Sequence, residues 1–155
     1  MNAFRIASTL PIVALAAAPL TAQTAPAPLE TVRNFQIVDE TLSSAGQIAY
    51  DQIPLLAEEG YEVVVNVHIP VDWERPELED VEMFFDVMQA NEGRHVFVHC
   101  FANMRASAFV YMYRTLVEGV PEEEARATMN EVWDPGEMDQ WSTLIRQAQA
   151  ELRRN

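Results

Sequence analysis

The sequence predicts one α/β domain with a mostly parallel central sheet, flanked by helices and followed by a helical C-terminal part. Two observations lead to this fold class. Strand-like runs rich in β-branched residues alternate with longer runs in which apolar residues recur at helical spacing. The chain has 155 residues, of which 49% are hydrophobic, and this is enough for one domain with its own core.

The first half of the chain predicts two strands separated by a helix. Residues 35–38 alternate like a strand and lead into a turn expected over 43–46. Residues 51–59 carry apolar side chains at helical spacing, and Gly60 is suited to end that helix. Residues 61–69 are β-branched and almost continuously apolar, which is typical of a strand covered on both faces.

The second half predicts one further strand and four helices. The apolar pattern indicates a helix over 76–90, a buried strand over 95–99 and a markedly apolar, central helix over 106–117. An acidic run after Pro121 indicates the next helix start, because carboxylates are favoured in the first turn. The last helix is expected over 138–153.

The charge of the chain restricts the classes of partner. The formal net charge is −14, with ten arginines and no lysine. Such an acidic protein is not expected to bind nucleic acid or anionic membrane surfaces. A phosphate site would have to act locally, through arginine and backbone N–H groups. The three histidines and the single cysteine lack the spacing of metal ligands, so we predict neither a metal nor a cofactor.

The N-terminal segment is typical of a secretory signal peptide. Arg5 precedes an apolar run over 6–20, and small residues and prolines follow. The run is too short and too interrupted by proline for a membrane-spanning helix. We therefore predict a signal peptide over 1–25, a linker over 26–34 and the domain over 35–155. The protein is expected in a bacterial periplasm or secreted, without stable membrane insertion after cleavage.

The only cysteine lies at a predicted strand-to-helix turn. Cys100 follows the strand over 95–99, and Arg105 stands at the start of the next helix. The free N–H groups and the dipole of a helix N-terminus stabilise both a thiolate and a bound anion. Loops after parallel strands open at one edge of the sheet, so the loop over 70–76 is expected beside Cys100. The alternative is that Cys100 is a small buried apolar residue.

Several motifs follow one another along the chain. They are Ser-x-x-Gly-Gln at 43–47, a Gly-Tyr strand ending in Val-Asn at 60–66, Ile-Pro-Val-Asp at 69–72, and Val-His-Cys at 98–100 followed by arginine and serine. Together they resemble the cysteine-dependent protein tyrosine and dual-specificity phosphatase superfamily, particularly its small bacterial members. The resemblance implies the phosphatase fold and hydrolysis of phosphate monoesters through a phosphocysteine intermediate.

The resemblance also implies roles for individual residues. Cys100 would be the nucleophile and Arg105 the clamp for phosphate oxygens. Asp72 would be the general acid, with Glu74 as a second candidate, although Asp72 is equally well interpreted as a turn residue. His99 would orient and acidify the thiol, and the serine of the motif would assist release of the phosphocysteine. The other predicted substrate-binding residues are Phe101, Ala102, Asn103, Met104, Ala106 and Ser107.

The turn departs from the phosphatase pattern in its length. Four residues separate Cys100 from Arg105, where the phosphatases have five. A shorter turn removes one backbone amide or aims the arginine elsewhere. In a second register the distance from Cys100 to Ser107 keeps the phosphatase spacing. Asn103 then replaces a glycine, since asparagine is the best substitute in a left-handed conformation, and Ala106 replaces the arginine.

A second departure concerns the connection after the Val-Asn strand. Relatives of this pattern have a loop, a helix and another strand before the Ile-Pro-Val loop, whereas this chain has almost nothing between Asn66 and His68. A parallel crossover needs a dozen or more residues. We therefore predict a sheet with one strand fewer. His68, within the predicted strand, is interpreted as a core histidine.

Three functions are compatible with these residues. The first is a phosphatase-like domain that binds phosphate esters, with weak or absent turnover because of the short turn. The second is a non-catalytic module that binds an anion or a partner. The third is a rhodanese-like sulfurtransferase, because those enzymes also have four residues between cysteine and arginine. The Ile-Pro-Val-Asp loop and His99 before Cys100 favour the phosphatase interpretation.

Overall fold

The computed structural model describes residues 25–69 and 71–153, so the predicted signal peptide lies outside the described residues except for Ala25. This part of the chain forms four strands and five helices. The strands are β1 (Gln36–Ile37), β2 (Leu42–Ala45), β3 (Val63–Asn66) and β4 (Val96–His99). The helices are α1 (Ile53–Glu58), α2 (Leu78–Ala90), α3 (Met104–Leu116), α4 (Glu122–Asn130) and α5 (Asp139–Glu151). None of these helices combines the length and apolar character needed to cross a bilayer.

The strands form one mostly parallel sheet, which confirms the predicted fold class. Their order is β1-β2-β4-β3, with β1 antiparallel to β2 and the other pairs parallel. Ala45 and Asn66 are both paired with His99, so three strands end at the same level. The connections after β3 and β4 therefore open at the same edge of the sheet.

The main core lies where α2, α3 and α5 cover one face of the sheet. Residues 106–114 of α3 are all buried, and α3 is therefore the central helix that its apolar sequence predicts. Its Phe109 ring meets Phe84 of α2 at 5.5 Å and Trp141 of α5 at 6.2 Å between centroids. This packing fixes the position of α3, and with it the turn that precedes α3.

The domain begins earlier than the sequence predicts. Leu29–Thr31 form a 3-10 turn, and Leu29 and Val32 are buried in a second apolar cluster with Phe97 on the opposite face of the sheet. The buried Gln52 side chain donates to the carbonyl oxygen of Ala27 at 2.9 Å. Residues 29–34 therefore pack onto the domain and do not form a free linker, because the side chains of Leu29 and Val32 are buried against the sheet.

The turn expected over residues 43–46 is wrong, because 42–45 form strand β2. Ser43 and Ser44 are buried, and both hydroxyl oxygens accept hydrogen bonds from distant side chains. Tyr61 donates to Ser43 at 2.8 Å, and Asn103 Nδ2 donates to Ser44 at 3.1 Å. A serine pair indicates a turn only while its hydroxyls lack tertiary partners.

Strand β3 is an edge strand of the described sheet. The expectation that it is covered on both faces is wrong, since the side chain of Val64 is 47% exposed. The chain between β3 and α2 contains no further helix or strand in its described part. The shortened connection therefore leaves the outer side of β3 without the neighbouring strand that a crossover would supply.

Candidate active site

The Cys100 turn, residues 100–105, connects β4 to α3 at the carboxyl edge of the sheet. Main-chain hydrogen bonds hold it against the segment after β2. Cys100 N donates to Ala45 O at 3.2 Å, and Gln47 N donates to Phe101 O at 3.1 Å. Gly46 is required for this approach, since a Cβ there would lie 2.8 Å from Arg33 O and 3.1 Å from Phe101 O. The turn is thus fixed by the backbone as well as by α3.

Asn103 closes the turn in a left-handed conformation, with φ of 64°. Its buried Nδ2 donates to Asn34 O at 2.6 Å and to Ser44 Oγ at 3.1 Å. Its carbonyl oxygen accepts the first hydrogen bond of α3, from Ser107 N at 2.8 Å. This is the conformation that the second register predicts for the residue in the glycine position.

The N-terminus of α3 presents donors beside the turn. The N–H groups of Met104, Arg105 and Ala106 precede the first helical hydrogen bond, so they have no acceptor within the helix. Together with the positive end of the helix dipole, such groups favour an anion.

A cavity of about 230 Å³ opens in front of the Cys100 turn. It is lined by His68, Trp73, Cys100, Phe101, Ala102, Met104 and Arg105. Cys100 is 1% exposed and lies deep in the cavity, whereas Phe101 is 59% exposed. The cavity therefore brings together the predicted nucleophile, the predicted clamp and three of the predicted binding residues.

The Arg105 guanidinium lies between a histidine and a tryptophan. Its Nη1 is 2.5 Å from Nδ1 of His68, and its Cζ is 5.6 Å from the ring centroid of Trp73. Its Nε is buried and has no hydrogen-bond partner among the described residues. No carboxylate of the described chain forms an ion pair with it. A cation lining a cavity without a counter-charge is suited to hold an anion.

His99 is buried behind the Cys100 turn and does not line the cavity. Burial lowers the pKa of His99, and the positive charge of a protonated His68 would lower it further. Its Nδ1 has no partner in the described residues. Burial thus disfavours the charged form of His99, and its part in orienting and acidifying the Cys100 thiol stays a prediction.

We expect the protein to lose stability in mild acid because of His99. Its pKa in the folded state lies below the ordinary value of about 6.5, so the unfolded chain takes up the proton first. The stabilisation by neutral His99 is complete above about pH 6.5 and is lost as the pH falls toward the folded-state pKa. Urea unfolding at several pH values, compared between wild type and His99→Gln, measures this. Equal pH dependence of the two proteins would contradict it.

The loop after β3 contacts the cavity through Trp73 and not through Asp72. The Asp72 carboxylate is exposed, and its Oδ1 accepts from Glu74 N at 2.8 Å and from Arg75 N at 3.3 Å. It stabilises its own loop, as the turn interpretation predicts. The Trp73 ring packs 5.1 Å from that of Trp141. Neither Asp72 nor Glu74 lines the cavity, and the role of each as general acid stays a prediction.

Ser107 and Ala106 also lie away from the cavity. Ser107 Oγ donates to Met104 O at 3.1 Å and lines a separate, much smaller cavity beside Gln36 and Ser44. Ala106, which takes the arginine position in the second register, is fully buried in the main core. In this geometry Ser107 stabilises the first turn of α3, and its assistance in releasing phosphate stays a prediction.

The sequence predicted no site role for His68. It is half-buried, lines the cavity and stacks on Phe101 with ring centroids 5.9 Å apart, so the core interpretation is wrong. The sequence feature that could have indicated a site role for His68 is its position two residues after Asn66, at the carboxyl end of a parallel strand. Within the described residues, no group of three or more His, Cys, Asp or Glu side chains is placed to hold a metal ion.

A family model described as DSP-PTPase phosphatase fused to NAD+ kinase matches residues 55–147. Among the curated proteins, no match to the chain was found.

Solved structures of phosphatases resemble the domain. A putative DUF442 phosphatase of Shewanella putrefaciens CN-32 has 30% identity and a TM-score of 0.69, covering 81% of this chain and 97% of that one. A complex of a Cys-to-Ser variant of P. aeruginosa TpbA with pTyr has 21% identity and a TM-score of 0.63, covering 77% and 88%. A mouse putative dual specificity phosphatase complexed with zinc tungstate has 19% identity and a TM-score of 0.66, covering 86% and 94%.

The fold, the Cys100 turn and these similarities agree. The family model spans more than half of the chain, and the Shewanella protein is aligned over nearly its whole length. The chain therefore belongs to the DSP-PTPase phosphatase family.

Proposed function

We propose that this domain binds phosphate monoesters in the Cys100 cavity and hydrolyses them slowly through a phosphocysteine intermediate. The observation that carries the proposal is that the Cys100 thiol, the Arg105 guanidinium and the N-terminus of α3 meet at one cavity. Two structural relatives hold phosphotyrosine and tungstate, and both ligands present a tetrahedral oxyanion.

In the proposed reaction, the Cys100 thiolate attacks phosphorus. An S–P bond forms while the ester P–O bond breaks, and the leaving oxygen takes up a proton from water. Water then breaks the S–P bond, which releases inorganic phosphate and restores the cysteine. Arg105 and the free amides of the turn stabilise the charge on the non-bridging oxygens during both steps.

Slow turnover follows from the position of the acidic residues. The Asp72 carboxylate accepts hydrogen bonds from its own loop, and neither Asp72 nor Glu74 lines the cavity. A correctly placed general acid contributes about 10²–10⁴-fold to such reactions. Aryl phosphates, whose leaving groups are weak bases, should therefore be hydrolysed much faster than alkyl phosphates.

Two assays on the mature protein test the proposal. One follows hydrolysis of an aryl phosphate with and without tungstate, and the other follows sulfur transfer from thiosulfate to cyanide. We expect slow hydrolysis that tungstate inhibits, and no sulfur transfer. Sulfur transfer without hydrolysis would identify a rhodanese-like enzyme. Tungstate binding without any burst of phenol release would identify a non-catalytic binding module.

If the length of the turn limits the rate, insertion of one glycine between Ala102 and Asn103 is expected to raise kcat/KM by about tenfold or more, because five residues then separate the cysteine from the arginine and the turn gains one backbone N–H donor. The matched control is a glycine inserted beside Gly93, which lies in an exposed turn with open space around it. Steady-state kinetics on an aryl phosphate measure both variants. A folded insertion variant with no gain would indicate that the connection after β3, and not the length of the turn, limits the rate.

A further inference from the structure

We propose that His68 positions the Arg105 guanidinium for binding the oxyanion, an inference that rests on the proposed function. Arg105 has no ion pair with a carboxylate of the described chain, and its Nε has no partner. Its Nη1 is hydrogen-bonded to Nδ1 of His68. The Trp73 ring lies against the guanidinium but offers no lone pair to fix its rotation. His68 therefore sets the direction in which the remaining N–H groups point.

The contact requires an acceptor at Nδ1 of His68. Arginine has only N–H donors, so a hydrogen bond between Nη1 and Nδ1 needs the lone pair of the imidazole nitrogen. An imidazole acceptor of this kind holds the guanidinium without bringing a negative charge to it. A carboxylate at this place would cancel the positive charge that the oxyanion needs, whereas a neutral acceptor leaves that charge available.

The position of His68 follows from the register of the sheet. Asn66, the last residue of β3, is paired with His99, so the two residues that follow it, Val67 and His68, lie beside Cys100 and Phe101. Val67 N donates to His99 O at 3.0 Å, which continues the pairing one residue beyond β3. His68 thereby reaches the Cys100 turn directly from the strand.

Both the backbone and the ring of His68 are held in place. The backbone N–H donates to Asn66 Oδ1 at 2.8 Å, and the imidazole stacks on Phe101 with an interplanar angle of 29°. His68 therefore contacts the residue after Cys100 as well as Arg105 at the end of the turn. A guanidinium held in place before binding loses less side-chain entropy when the anion arrives.

The test compares substitutions that keep or remove the acceptor. His68→Asn places an amide oxygen near the position of Nδ1. His68→Phe keeps the ring on Phe101 but has no acceptor, and His68→Ala removes both. In the Cys100→Ser background, we expect the Phe and Ala variants to bind tungstate about tenfold more weakly by calorimetry, and the Asn variant to stay within about threefold. In protein with Cys100 intact, we expect kcat/KM to fall in the Phe and Ala variants and to stay close to the wild-type value in the Asn variant.

Arg105→Ala supplies the second half of a double-mutant cycle. If His68 acts through Arg105, His68→Phe has no further effect once Arg105 is replaced. Equal losses with and without Arg105, or equal binding by the Phe, Ala and Asn variants, would overturn the positioning role. Thermal melts identify any variant that fails to fold. If His68→Phe does not fold, the comparison of His68→Ala with His68→Asn tests the positioning role in its place. A different outcome would overturn the proposed function itself: no tungstate binding by the parent Cys100→Ser protein, together with no phosphatase activity in the wild type.

Discussion

Cys100→Ser is expected to abolish hydrolysis, lowering kcat by at least about a thousandfold, because a serine hydroxyl without a neighbouring base is a far weaker nucleophile than a thiolate. Cys100 is nearly fully buried against β4 and the segment after β2. Serine occupies less volume in the same shape, and the turn is held by main-chain hydrogen bonds. The fold and tungstate binding should therefore persist while turnover is lost.

Burst kinetics with an aryl phosphate measure this prediction most directly. The wild type should release a burst of phenol equal to the enzyme concentration if breaking the S–P bond is slower than forming it, and Cys100→Ser should release none. Calorimetry with tungstate and thermal melts on the same two proteins separate lost chemistry from lost structure. Full activity of the serine variant would place the nucleophile elsewhere and remove the basis of the proposed mechanism.

Hydrophobic periodicity was sufficient to predict the layers of this domain. The observed bounds of α2 (Leu78–Ala90) and β4 (Val96–His99) lie within two residues of the predicted ones. These elements depend on side chains within one segment, and such local patterns are visible in a single sequence. The parallel direction of the strands followed from the helices that separate them.

Strand β2 could not be predicted in this way. Its central residues, Ser43 and Ser44, are strand residues because Tyr61 and Asn103 satisfy their hydroxyls. These partners lie 18 and 59 residues further along the chain, beyond the reach of any local pattern. Buried polar residues with distant partners are therefore where local propensity and tertiary structure disagree.

The site also contains residues that the local sequence predicts and residues that it does not. Cys100 and Arg105 share a turn, and their proximity follows from the sequence alone. The placement of His68 and Asp72 depends on how the loop after β3 folds back. Asp72 accepts two hydrogen bonds from its own loop, which is a local alternative to facing the cavity. His68 enters the site because the parallel register brings it level with Phe101.

Asn103 carries the largest expected effect on stability. Asn103→Ala should lower the free energy of unfolding by about 3 kcal/mol, because two causes add. The side chain loses buried hydrogen bonds to Asn34 O at 2.6 Å and to Ser44 Oγ at 3.1 Å. Alanine must also adopt φ near 64°, which its Cβ disfavours. Urea unfolding followed by circular dichroism gives the value.

Two matched variants separate these causes. Asn103→Gly tolerates the left-handed backbone but cannot donate, so it should lose about 2 kcal/mol and be more stable than the alanine variant. Asn103→Asp keeps the shape and tolerates the same conformation, but it sets a carboxylate oxygen against the Asn34 carbonyl and should be at least as destabilised as alanine. If aspartate matched wild type, the hydrogen bonds would not hold the turn. If glycine were no more stable than alanine, the left-handed backbone would not be a cost at this position, and Asn103 would not be the residue that shapes the turn around Cys100.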